Sequence, residues 1–159
     1  MKTSFSPIIT NATHSLFLGT LPGEISLLEQ KYYAHPQNKF WQLFYDVFNQ
    51  NYELEYDKRI EFLQNKGFGL WDVVKSANRK GSLDTAIKNF EINDFEYLHE
   101  QYPKIQRLYF TSKQAYKWYY KIYKNRLNFE LIILPSPSPA NARITYNQKL
   151  EKWKELIVK

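Results

Sequence analysis

Short, almost wholly apolar runs alternate along this chain with stretches of helical spacing. Residues 15–19 (SLFLG) are nearly all apolar and end in glycine, the pattern of a strand buried on both faces of a parallel sheet. Residues 67–74 (GFGLWDVV), 107–110 (RLYF) and 130–134 (ELIIL) repeat that pattern. Between them, Phe40, Trp41, Phe44, Val47 and Phe48 recur at helical spacing within 38–49. Ile60 and Leu63 mark a helix over 57–66, and Gly67 stands where a left-handed cap belongs. Ser82 and Asn93 are placed to cap two short helices, the second halted by Pro103. A helix over 112–126 turns Ala115, Trp118, Tyr119 and Ile122 inward, and the last helix, 144–158, carries Tyr146, Leu150, Trp153 and Ile157 on one face. Four buried strands with helical crossovers predict an α/β fold: three α/β/α layers around a central four-stranded parallel sheet. The whole chain, 1–159, reads as one domain. Ligands of such sheets lie beyond the carboxyl ends of the strands, which selects residues 19–38, 72–82, 111–114 and 135–145.

Composition narrows the chemistry. There is no cysteine, so a disulfide framework, a thiolate metal site and a cysteine nucleophile are all excluded. The three histidines, His14, His35 and His99, lack metal-site spacing, and no metal or other cofactor is expected. Lys and Arg outnumber Asp and Glu by 22 to 16, and 18% of residues are aromatic. That combination suits a surface that stacks bases and neutralises phosphates, and it is equally the composition an AT-rich genome produces. No apolar run nears the roughly 20 residues that span a bilayer. The segment MKTSFSPIITNATHS lacks the apolar core of a secretory leader. The expectation is a soluble, cytoplasmic monomer without a membrane partner.

The segments after the strands carry the motifs. Gly19-Thr20-Leu21-Pro22-Gly23 forms a tight turn whose backbone N–H groups can face a ligand, or is an ordinary strand exit. It lacks the spacing of a dinucleotide fingerprint or a P-loop. Tyr32-Tyr33-Ala34-His35-Pro36-Gln37-Asn38-Lys39-Phe40-Trp41 leads two tyrosines, a histidine and an asparagine into a helix, with Asn38 also readable as its cap. G-x-x-P-G followed by Y-Y-A-H-P-x-N-x-F-W resembles the uracil-DNA glycosylase superfamily, within it most nearly the hypoxanthine-DNA glycosylases. Leu134-Pro135-Ser136-Pro137-Ser138-Pro139-Ala140-Asn141-Ala142 resembles the second motif of that superfamily, and Thr111-Ser112-Lys113-Gln114-Ala115-Tyr116 its loop after the third strand. The resemblance runs in matching order from about 15 to 157.

It implies a monofunctional DNA glycosylase that flips a deaminated base, hypoxanthine or uracil, out of DNA and leaves an abasic site. Mismatch-specific uracil/thymine glycosylases carry a water-positioning asparagine before the first Pro-Gly; here that place is Leu21, and the resemblance moves the catalytic role to Asn38. An N-glycosidic bond breaks through an oxocarbenium-like sugar, so water needs placement more than deprotonation, and a neutral amide suffices. The base pocket is then Gly19, Thr20, Leu21, Pro22, Gly23, Tyr33 and Asp72: Tyr33 stacks on the base or is a core tyrosine, and Asp72 reads a base N–H or caps a helix. DNA contacts fall to Ser112 and Lys113 and to Ser136, Ser138, Asn141, Ala142 and Arg143, in a Pro/Ser loop that otherwise has only polyproline character. Residues 104–126 hold seven Lys/Arg and no acid, with Lys113, Lys117, Lys121 and Lys124 on one helix face; beyond Lys113 this is read as a solvated face. His35 is read as a loop brace. Two rival readings use the same residues: a nucleic-acid-binding module that lost the chemistry, and a hydrolase of small-molecule nucleobases or nucleotides.

Overall fold

In the computed structural model, which describes residues 1–158, the chain begins with β1 (Lys2–Thr3) and β2 (Ser15–Gly19), followed by α1 (Glu24–Glu29), α2 (Phe40–Val47) and α3 (Tyr56–Asn65). Next come β3 (Phe68–Asp72), β4 (Val74–Asn78), a single 3-10 turn (Asp84–Ala86) and β5 (Lys88–Ile92). The remainder is α4 (Phe95–Gln101), β6 (Arg107–Phe110), α5 (Lys113–Tyr123), β7 (Glu130–Ile133), α6 (Tyr146–Trp153) and α7 (Glu155–Val158). The central sheet has the order β3-β2-β6-β7, and its pairs are parallel throughout. Side chains of β2 alternate between its faces. Phe17 joins Phe40, Phe44, Phe68, Tyr109 and Trp153 in the core under α2, α3 and α6. Leu16 and Leu18 join Phe95, Leu98, Phe110 and Tyr119 in the core under α4 and α5. Three layers result, as the pattern predicts.

The second half of GFGLWDVV departs from the expected single strand. Val73 and Val74 still donate to Gly19 O and Thr20 O, at 2.8 and 2.9 Å. From there β4 leaves the parallel sheet and pairs antiparallel with β1 and β5 in a three-stranded sheet. Only the 3-10 turn Asp84–Ala86, not an α-helix, follows Ser82; Phe90 and Ile92 alternate with polar residues in β5, which pairs with β4 through Lys88, Glu91 and Ile92. Ser82 Oγ instead accepts from Glu24 N at 2.8 Å, capping the short α1 that apolar spacing does not announce. Asp94, not Asn93, caps α4 by accepting from Tyr97 N at 3.0 Å. Asn93 is buried and donates its Nδ2 to Asp72 O at 2.8 Å.

The expected final helix breaks at Lys154, which turns Leu156 inward and leaves Ile157 54% exposed. Tyr123 takes the inner position on α5 expected of Ile122, which is half exposed. Trp118 packs on Phe90 of the small sheet, ring centroids 4.4 Å apart. Among the described residues no helix is long and apolar enough to cross a membrane. Nor do any three His, Cys, Asp or Glu among them gather as a metal site.

Candidate active site

The carboxyl ends of β2, β3 and β6 bring two polar side chains to one point, where a third arrives from the loop before α2. Gly19 pairs with Asp72 across β2 and β3, and Thr111 follows the end of β6. A Cβ at Gly19 would stand 2.9 Å from Asp72 Oδ1 and 3.6 Å from both Thr111 Oγ1 and the Tyr33 hydroxyl. The missing side chain is what leaves this space open. Tyr33 reaches it from the loop before α2, in a left-handed conformation (φ 55°) that an aromatic residue adopts at a cost of about 1 kcal/mol. Two contacts hold it there. Its ring stacks on Phe40 at 3.9 Å with the planes 6° apart, and its hydroxyl lies 3.3 Å from Thr111 Oγ1. Because Thr111 donates its own hydroxyl hydrogen to Leu18 O, Tyr33 is the donor in that bond. Burial, reinforced by the Asp72 charge, raises the Tyr33 phenol well above its ordinary value, so it stays protonated.

Asp72 is 4% exposed, and among the described residues its Oδ2 has no hydrogen-bond partner. Burial lifts its carboxyl from 3.8 to about 7; Arg79 opposes the rise and Asp84 adds to it. A buried carboxyl with a free oxygen, poised between charge states at neutral pH, can accept or donate at the edge of a ligand.

The turn after β2 is held from one side. Val73 and Val74 donate to the carbonyls of Gly19 and Thr20, and Arg79 donates to Leu21 O at 3.4 Å and to Pro22 O. Planar trans amides therefore turn the N–H groups of Thr20, Leu21 and Gly23 away from these partners. Thr20 Oγ1 donates to Asp84 Oδ1 at 2.6 Å. The Leu21 side chain is buried with Val74, Ala77 and Ile87 in a small core, so this turn offers the pocket its backbone rather than that side chain. Burial lowers the Arg79 guanidinium and raises the Asp84 carboxyl, each moderated by the other. Sequence reasoning missed both residues. They lie in a hairpin between β4 and β5 that returns to the turn only in three dimensions, and no local pattern marks them.

Asn38 is half-buried at the mouth of α2. Its Oδ1 accepts from Phe40 N at 2.9 Å, and its own N–H donates to His35 O at 2.9 Å. Among the described residues the Nδ2 of Asn38 makes no hydrogen bond. The N-cap of α2 is Lys39, and the Asn38 oxygen instead closes an Asx turn just ahead of the helix, which leaves the amide NH₂ for a ligand. Asn38 is tied to the pocket through Phe40, whose N–H it binds and whose ring carries Tyr33. His35 Nδ1 accepts from Gln37 N at 3.1 Å, a bond within the loop.

Lys39 N donates to Pro137 O at 2.9 Å, joining this loop to the Pro/Ser segment. There Ser136 Oγ accepts from Ser138 N, and Ser138 Oγ from Ala140 N, both at 3.2 Å. Asn141 Nδ2 donates to Ser136 O at 3.4 Å. Ser136, Ser138 and Asn141 thus stiffen their own loop, while Ala142 and Arg143 are exposed beyond it. Ser112 caps α5 by accepting from Ala115 N at 3.0 Å, and Lys113, Lys117, Lys121 and Lys124 are all exposed.

The motif segments thus converge at one end of the sheet. Residues 8–157 match the description "Uracil DNA glycosylase superfamily". A Methanosarcina barkeri protein named hypoxanthine DNA glycosylase is 36% identical over 155 residues, 97% of this chain and 96% of its own length. A Methanosarcina acetivorans protein of the same name is 36% identical over 158 residues, 99% and 98% of the two chains. The solution NMR structure of a Methanosarcina acetivorans protein, provisionally described as a uracil DNA glycosylase, superposes with a TM-score of 0.84 at 34% identity, covering 98% of each chain. With the match running from before β2 into α7, and with the strand-end motifs in order, the chain belongs to the uracil DNA glycosylase superfamily.

Proposed function

We propose that this chain is a monofunctional DNA glycosylase that hydrolyses the N-glycosidic bond of hypoxanthine flipped out of DNA, acting as a monomer. The observation that carries the reading is the space at Gly19, where Asp72 Oδ1, Thr111 Oγ1 and the Tyr33 hydroxyl meet beside a buried carboxylate oxygen without a partner. Tyr33, fixed on Phe40, offers a base a flat neighbour. Ionised Asp72 accepts the N1–H of hypoxanthine. Uracil also offers a donor, N3–H, but a carbonyl oxygen flanks it on both sides, whereas one side of hypoxanthine's N1–H is C2–H; the second oxygen sets an acceptor against a buried charge, which costs more than a lost neutral hydrogen bond.

The N9–C1′ bond breaks with its electron pair passing to the base. The N–H groups of the 19–23 turn lie where that charge develops. A water oxygen bonds to C1′ and releases its proton to solvent, and Asn38 places that water. No lysine nucleophile takes part, so the strand is not cut. The 136–143 loop, braced by Ser136, Ser138 and Asn141, fills the gap left by the base through Ala142 and Arg143. Lys113, with Ser112, holds the backbone.

Incubation of duplexes carrying hypoxanthine, uracil, xanthine or a G·T mismatch, followed by alkali, tests the reading. Strand breaks only after alkali, fastest with hypoxanthine, are expected. Tight, salt-sensitive duplex binding without base release would establish the inactive module instead. Release from free deoxyinosine but not from duplex would establish a nucleoside hydrolase.

A further inference from the structure

A second concavity, of about 330 Å³, lies apart from the Asp72 pocket, between the loop entering α2 and the stretch from Pro137 to Lys149. Gln37, Lys39, Ser138, Asn141, Tyr146 and Lys149 supply its polar lining. Lys149, on α6, is only 6% exposed, yet its side chain lines this groove. Among the described residues no hydrogen bond or ion pair reaches its ammonium. Asp46, which the fold brings near through Tyr146, is engaged by the Tyr146 hydroxyl. Burial lowers the Lys149 ammonium and the neighbouring Lys39 lowers it further, so what surrounds this cation is a second cation. The stem is buried while the ammonium opens into the groove, and two like charges facing one groove repel until an anion seats between them. Lys39 and Lys149 come from separate elements, held in register by the Lys39 N to Pro137 O bond of 2.9 Å.

We propose that the groove between Lys39 and Lys149 seats one phosphodiester of the DNA strand next to the displaced nucleotide. The groove takes an anion by charge and a backbone phosphate by position, because one of its walls is the loop from Pro137 to Ala142. This rests on the DNA glycosylase reading above. It adds a contact that neither the motifs nor the lysine stripe of α5 suggests, since Lys149 belongs to the plainest helix of the sequence.

The test compares wild type with Lys149→Met, Lys149→Arg and Lys39→Met. Duplexes carry hypoxanthine and a single uncharged methylphosphonate at successive positions around it. In wild type, one position is expected to weaken binding by roughly tenfold, as loss of a charged hydrogen bond does. In Lys149→Met that position should have no further effect, and the salt slope of binding should fall by about 1. Lys149→Arg should restore both. Thermal melting separates folding from binding: Lys149→Met should melt no lower than wild type, because it keeps the buried stem and removes the repulsion from Lys39. If that variant does not fold, Lys39→Met alone should lower the slope by about 1. A flat methylphosphonate scan in wild type, or an unchanged slope in both Met variants, overturns the proposal. So does stabilisation by inorganic phosphate that depends on Lys149 while the scan stays flat, since the groove then holds a free anion. A positional signature without base release would sink the glycosylase reading and leave the groove standing; base release with a flat scan would do the reverse.

Discussion

Replacing Asp72 by Asn tests whether a carboxyl that changes charge near neutrality selects the base. The buried carboxyl titrates at about 7 instead of 3.8. That difference corresponds to about 4 kcal/mol of destabilisation of the ionised form in the fold. The folded value lies above the unfolded one, so the stabilising contribution of the neutral form is complete below about 3.8 and is lost as pH rises through about 7. Asn cannot ionise. The stability of Asp72→Asn relative to wild type should therefore be more favourable at pH 8 than at pH 4, by up to about 4 kcal/mol.

The functional consequence has the opposite sense. Asp72 is about one-tenth ionised at pH 6 and about nine-tenths at pH 8. Hypoxanthine release should follow the ionised form and uracil release the protonated form, which can donate to a carbonyl oxygen. Single-turnover release from duplexes with matched opposite bases should then show the hypoxanthine-to-uracil ratio rising between pH 6 and pH 8. The rise is at most about a hundredfold, if each form reads only one base. In Asp72→Asn this pH dependence should vanish. A wild-type ratio that is flat over this range, or a slope that survives in Asp72→Asn, would refute the reasoning.

Other substitutions separate the remaining roles. Gly19→Ala sets a methyl 2.9 Å from Asp72 Oδ1, and single-turnover base release should fall by about 10²-fold or more while duplex affinity changes little. Arg79→Met removes the donors to Leu21 O and Pro22 O and should lower stability in urea unfolding by roughly 2–4 kcal/mol, with slower base release from a loosened turn. Arg143→Ala should impair release of a well-paired base more than a mismatched one, whereas Lys113→Ala should weaken binding evenly and lower the salt slope by about 1. Equal effects of these two on paired and mismatched lesions, measured side by side, would remove the distinction.

Apolar runs made the central sheet legible because strands buried on both faces leave a continuous signal. Phe17, Leu16 and Leu18 read as one run although they serve two cores. The small sheet was not legible: β5 is largely exposed, and β4 is the polar continuation of an apolar strand. Short-range capping signals pointed to the right residues and the wrong partners, as with Ser82, whose hydroxyl caps a helix 58 residues earlier in the chain. The pocket divides in the same way. Gly19, Tyr33, Asp72 and Asn38 stand in local motifs at strand exits and could be named from them. Arg79 and Asp84 reach the turn through long-range packing, and a charged residue's burial leaves no mark in its own sequence neighbourhood.

The central claim is that an amide at position 38 places the attacking water in a DNA glycosylase. Asn38 Oδ1 also accepts from Phe40 N at the start of α2, a bond worth about 1 kcal/mol, so the measurement must hold that bond constant. Asn38→Ser keeps a hydroxyl acceptor for Phe40 N but removes the amide; Asn38→Ala removes both. The decisive quantity is the single-turnover rate of hypoxanthine release from duplex DNA at saturating enzyme, with melting temperature recorded for each protein. The account predicts that wild type releases the base, and that Asn38→Ser and Asn38→Ala both lose on the order of 10²–10³ in rate. Asn38→Ser should melt close to wild type, and both variants should bind the duplex almost as tightly. Rates for both variants within a few fold of wild type would contradict it.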